Sequence, residues 1–188
     1  MTVISPKNRW EMADMLRFAV DFQYPVAVRY PRGTAYEGMR QFRAPIEYGK
    51  SEVLYEEEDI AIIFVGHMAE LADCVRRSLK ETGYSCSLIN ARFVKPLDTE
   101  LLEELAKDHS LFVTIEENVI TGGFGEQVMD YVSRAALNVH VRNIGISDEY
   151  VEHGNVEVLR KEVGLDRDAI VKQTISDYLR IMENKKKR

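Results

Sequence analysis

Only two cysteines, Cys74 and Cys86, occur in the 188 residues. Neither stands in a Cys-x-x-Cys pair and neither has histidines at metal-ligand spacing, so a zinc site and a disulfide framework are both set aside. A reducing, intracellular compartment is the expectation. No stretch reaches the roughly 18 apolar residues of a membrane span. The opening MTVISPKNRW has no apolar core of a secretion signal. A soluble, cytoplasmic protein is therefore expected. Excess positive charge is also missing. The net charge of −6 and a pI near 5.3 make the chain a poor partner for nucleic acid or an anionic membrane. Its dense basic run, Lys185 to Arg188, reads as a solvated tail. There is no P-loop, no GxGxxG fingerprint, no internal repeat and no low-complexity tract. The four histidines, His67, His109, His140 and His153, are scattered without a serine or cysteine nucleophile arrangement, and each reads as structural.

What is present is a chain that can bury a core: 45% hydrophobic and 30% charged. Thr2 to Ile4 is β-prone. Asn8 to Glu11 resembles a capping box, followed by Trp10, Met12, Met15, Leu16, Ala19 and Phe22 at helical spacing. Pro25 to Tyr30 reads as a strand, so residues 1–33 form a β-α-β unit. Residues 34–58 show no clean period and carry Gly38, Pro45, Gly49 and a run of three glutamates, which reads as a linker. From Asp59 onward, strands near 60–65, 87–91, 111–115 and 139–144 alternate with helices. The helices open near Met68, at Asp98 or Thr99, and at Gly122-Gly-Phe-Gly125; a short one near 155–163 and a last one near 167–182 follow. Such alternation predicts βαβ units and a mostly parallel sheet between helical layers.

Several motifs admit two readings each. Gly122 to Gly125 opens a helix, either as a close-packed structural turn or as an anion or interface site. Glu116 and Glu117 stand at the end of a strand, where ligands of open α/β sheets collect. They suit acid–base or metal chemistry, or capping and interface contacts. As strand neighbours they point to opposite faces, so they cannot converge without a bend. Arg92 and Lys95 could bind phosphate, or their segment simply feeds Asp98 into a helix N-cap. Arg29-Tyr30-Pro31-Arg32-Gly33 sets two guanidinium groups at a strand end, suited to bidentate phosphate binding or to surface pairing with glutamates.

Taken in order, AVRYPRG at 27–33, ARFVKPLD at 91–98, TIEEN at 114–118 with GGFGE at 122–126, and NIGISDEYVEHG at 143–154 resemble the C-terminal part of the 1-deoxy-D-xylulose-5-phosphate synthase family, within the transketolase superfamily. The resemblance covers essentially the whole chain. It implies a parent enzyme that condenses pyruvate with D-glyceraldehyde 3-phosphate, releasing carbon dioxide and supplying isoprenoid, thiamine and pyridoxal precursors. It implies thiamine diphosphate and Mg²⁺ as that parent's cofactors, a homodimer, and N-terminal domains as partners.

By the same resemblance, residues 1–33 correspond to the end of a pyrimidine-binding domain, 34–58 to a linker, 59–182 to a three-layer transketolase-type C-terminal domain, and 183–188 to a basic tail. The family's Mg-diphosphate motif, its cofactor-activating glutamate and its proton-handling histidines have no match here. No catalytic, cofactor-binding or metal residue carries over, and the chain is expected to be inactive alone with no cofactor bound. One substrate residue does carry over: Arg32 resembles the arginine that grips the aldehyde's phosphate. The competing readings are a subunit of a split transketolase-like or 2-oxoacid dehydrogenase E1β-type enzyme, and a stand-alone flavodoxin-like binding module.

Overall fold

The computed structural model describes residues 1–187. In chain order it contains β1 (Thr2–Ile4), α1 (Arg9–Asp21), β2 (Val26–Val28), β3 (Glu52–Tyr55), β4 (Asp59–Phe64), α2 (Ala69–Glu81), β5 (Cys86–Asn90) and β6 (Phe93–Lys95). Then come α3 (Thr99–Asp108), β7 (His109–Val119), α4 (Phe124–Arg134), β8 (His140–Ile146), α5 (Val156–Glu162) and α6 (Arg167–Lys186).

Five strands form the main sheet in the order β3-β5-β4-β7-β8. The β4–β5, β4–β7 and β7–β8 pairs are parallel, and β3 adds antiparallel at the β5 edge. Strand alternation builds the three layers. Ile60, Ile62 and Phe64 share one core with Ala72, Val75 and Leu79 of α2 and Ile170 and Ile181 of α6. Ala61, Ile63 and Val65 share the other with Leu102 and Leu105 of α3 and Val128 and Val132 of α4. A strand apolar on both faces is what a helix-covered parallel sheet requires.

The expected β-α-β unit forms, with β1 and β2 parallel. Asn8 caps α1, its side chain accepting from Glu11 N at 2.9 Å. This unit is not self-contained, however. β6 pairs antiparallel with β1, giving a second sheet of order β2-β1-β6. Ile4, Met15 and Phe93 form the small core beneath it.

Two boundaries need correction. Residues 34–58 are not all linker, because β3 belongs to the main sheet. Glu52 and Leu54 point inward while Val53 points out. The inward position filled by a charged residue conceals the alternation from a hydropathy reading. The basic tail also begins later than 183: α6 continues through Lys186, and Lys185 Nζ donates to Ser110 Oγ at 2.7 Å. Arg188 lies outside the described residues.

Candidate functional site

In an open α/β sheet a ligand crevice forms where neighbouring strands send their connections opposite ways, at the strands' carboxyl ends. Here that point lies between β4 and β7: β4 leads to β5 on one side, and β7 leads to β8 on the other. His67 follows β4 directly, and Glu117 lies near the end of β7. His67 Nε2 is 2.5 Å from Glu117 Oε2, and Arg160 of α5 donates from Nε to Glu117 Oε1 at 2.7 Å. The hydrogen bond from His67, joined by Arg160 and outweighing the effect of burial, holds the Glu117 carboxyl down to about 2.

The N-terminal unit closes over the same point. Arg29 Nη2 donates to the Glu117 carbonyl at 2.9 Å, across 88 positions of sequence. Ser5 presses on Gly66, where a Cβ would sit 2.1 Å from Ser5 Oγ, and φ there is +56°. Only glycine meets both conditions. Groups from the N-terminal unit, the turn after β4 and α5 thus meet at this crevice and pair with one another.

Glu116 turns to the other face, as strand alternation requires, and is buried. Its two oxygens accept from Phe124 N at 2.9 Å and Gly125 N at 2.8 Å, the first amides of α4. The GGFG turn is thus an anion site already taken by an internal carboxylate. The approach is close: a Cβ on Gly123 would meet Glu116 Oε1 at 2.6 Å, and one on Gly125 would meet Thr114 Oγ1 at 2.4 Å. Capping is the role of this pair of elements, and Glu116 and Glu117 do not converge.

Arg92 is likewise committed. It is 3% exposed, and its guanidinium reaches Glu11 Oε1 at 2.8 Å, Glu52 Oε1 at 3.0 Å and the carbonyls of Ala44 and Pro45. Lys7 Nζ completes the cluster, with Glu11 Oε1 at 2.8 Å and Glu52 Oε2 at 2.6 Å. Two cations and two carboxylates balance inside the protein. Burial alone would raise the Glu52 carboxyl, but Lys7 and Arg92 hold it below the usual range. Asp98 caps α3, accepting from Leu101 N at 3.3 Å. The 91–98 segment therefore joins the N-terminal unit to the main domain, and its buried Arg92 is not open to a phosphate.

His109 is structural, with Nδ1 at 2.7 Å from the Leu105 carbonyl and Nε2 at 2.9 Å from Ser87 Oγ. Arg32 stands apart from all this. It lies three residues beyond Arg29, is exposed, and takes part in none of the ion pairs among the described residues. The pairing of His67 with Glu117 escaped sequence reasoning, because β4 and β7 are neighbours in space but not in order. The available signal was positional: each follows or ends an apolar strand.

Residues 49–170 match the family described as transketolase, C-terminal domain. The chain is 46% identical over 177 residues to a 1-deoxy-D-xylulose-5-phosphate synthase of Lachnoclostridium phytofermentans, covering 91% of this chain and 28% of that protein. It is 40% identical over 175 residues to one of Clostridium tetani, again 28% of its length. The chain thus spans less than a third of the curated relatives it matches. Among solved structures, a split-gene transketolase described as an inactive β4 tetramer superposes with a TM-score of 0.84 at 26% identity, covering 92% of this chain and 56% of that one. A Campylobacter jejuni transketolase shares the fold, with a TM-score of 0.68 at 15% identity over 93% of this chain and 26% of its own.

Proposed function

The chain belongs to the transketolase C-terminal domain family, and from that premise we propose that it is the C-terminal part of a 1-deoxy-D-xylulose-5-phosphate synthase. In this reading the whole enzyme condenses pyruvate with D-glyceraldehyde 3-phosphate and releases carbon dioxide. The observation that carries it is the extent of the likeness to the synthases, 91% of this chain, which is more than the 49–170 stretch that matches the transketolase C-terminal family.

The cofactor of that reaction, thiamine diphosphate with Mg²⁺, does not fit the residues present here. Among the described residues no group of three or more His, Cys, Asp or Glu side chains could hold a metal ion. The α4 N-terminus, the obvious seat for a diphosphate, is filled by Glu116. The cofactor's seat, and the groups acting on it, fall to the length of the relatives that this chain does not span.

What this chain supplies is Arg32, an exposed guanidinium in the bend after β2, paired with no carboxylate among the described residues, as the ligand of the aldehyde's phosphate. It also supplies surface. Val20 is 84% exposed and Leu16 48%, on the outer face of α1. Apolar groups so placed suit coverage by the N-terminal domains or the second subunit of a homodimer. Among the described residues no helix is long and apolar enough to cross a membrane, and a cytoplasmic enzyme is the setting proposed. A separately encoded subunit, completed by another chain, is the second reading, favoured by the likeness to the split-gene transketolase.

The test is steady-state kinetics of Arg32→Ala in an enzyme carrying these residues together with the remaining length of its relatives. Losing a charge-assisted phosphate contact costs on the order of 1.5–3 kcal/mol, so KM for glyceraldehyde 3-phosphate should rise roughly 10- to 100-fold. Pyruvate carries no phosphate, and its KM should hold. Equal damage to both substrates would refute the assignment.

A further inference from the structure

We infer that Glu117 is a positioning residue for the strand end that bears Arg32, acting through Arg29 and Arg160 rather than on substrate. The inference rests on the reading of Arg32 as the phosphate ligand.

Arg29 has three tethers. Its N–H donates to the Ile4 carbonyl at 2.8 Å, its carbonyl accepts from Ser5 Oγ at 2.9 Å, and its guanidinium donates to the Glu117 carbonyl. Two residues separate it from Arg32, one of them Pro31, whose ring fixes its own φ. Where Arg29 is held, the start of the Arg32 loop is held.

The far end of that tether needs support of its own. β7 and β8 pair in regular register through Ile115 and resume at Val119, with the ladder interrupted between. The Glu117 carbonyl is therefore free to accept from Arg29, but sheet hydrogen bonds do not fix it. The side chain does so instead. Oε2 takes His67 and Oε1 takes Arg160, so the residue is gripped from the Gly66–Met68 turn after β4 on one side and from α5 on the other. With one cationic or imidazole partner on each oxygen, the carboxylate is held in a fixed orientation.

The same grip secures α5, which has no buried residue of its own. It follows an exposed stretch in which Tyr150 is 93% open to solvent. One residue thus ties two segments to a common point: its carboxylate holds α5 through Arg160, and its backbone carbonyl holds Arg29. Loss of the Arg160 pair should loosen both.

The test has two parts. In the 188-residue chain, Glu117→Gln keeps the shape but loses the ion pair, and hydrogen exchange should quicken at residues 29–33 and 147–163 while the β4 and β7 amides stay protected. In the complete enzyme, KM for the phosphorylated aldehyde should rise about tenfold, since ångström-scale misplacement costs up to ~100-fold; kcat and the pyruvate KM should stay within about twofold.

The double variant with Arg32→Ala should show little added loss, because a positioning residue has nothing left to position. Arg160→Met serves as the second variant should Glu117→Gln fail to fold, and the same KM shift is expected. Additive losses, or an unchanged aldehyde KM beside a raised one in Arg32→Ala, would overturn the positioning role. An Arg32→Ala enzyme with normal aldehyde KM would instead remove the phosphate reading, and this inference with it.

Discussion

Glu117 shows how much one side chain's surroundings decide. Free in solution its carboxyl would titrate near 4.5; beside His67 and Arg160 it is held down to about 2. A carboxyl with a depressed folded-state value adds stability that is complete above its unfolded value and is lost as pH falls toward the folded one. The Glu117 contribution should therefore be intact at neutral pH and vanish between about pH 4.5 and pH 2. Denaturant unfolding of wild type and Glu117→Gln checks this. Wild type should be the more stable at pH 7, by a margin that shrinks at pH 3. The site is partly open to water, so the margin is modest. A difference that grows on acidification would refute the assignment.

At the scale of elements, α4 depends on a residue outside itself. Glu116→Ala would strand two buried N–H groups, each costing ~1–3 kcal/mol, so the variant should lose roughly 2–5 kcal/mol. Glu116→Gln keeps one acceptor and should lose less. Inorganic sulfate should raise the melting temperature of the alanine variant more than that of wild type, since the emptied helix terminus can then take an anion. Identical melting of all three proteins would show that the cap is not what holds α4. This capping was half legible in the sequence. Alternation along β7 separated Glu116 from Glu117, and the glycines marked a close approach, but which anion they approached needed the fold. The helices α2 and α4 were legible because their buried residues recur every three or four positions. β3 was hidden by Glu52, a charged residue at an inward position. β6 was hidden because it is three residues long and its partner β1 lies some 90 residues earlier, beyond any local pattern.

At the scale of the molecule, the question is where the main domain begins. Sequence punctuation suggested Asp59, whereas the sheet begins at Glu52. The two boundaries predict different behaviour. A chain beginning at Gly49 keeps all five strands of the main sheet, the helices on both faces and most of both apolar cores. It loses Lys7 and Glu11 together, leaving Arg92 and Glu52 to neutralise each other at 3.0 Å. It should melt cooperatively. A chain beginning at Asp59 also loses Leu54, which is 6% exposed and packs on the α2 side of the sheet. Removing that side chain costs about 2–3 kcal/mol, or roughly 5–12 °C in melting temperature for a domain of this size. It also strips β3 from β5, leaving a buried, apolar strand as an open edge that invites association. The expected outcome is a monomeric Gly49 chain and an Asp59 chain that melts lower and aggregates, read by calorimetry and light scattering. Equal melting temperatures and equal solubility would mean that β3 contributes nothing, and the boundary at Asp59 would stand.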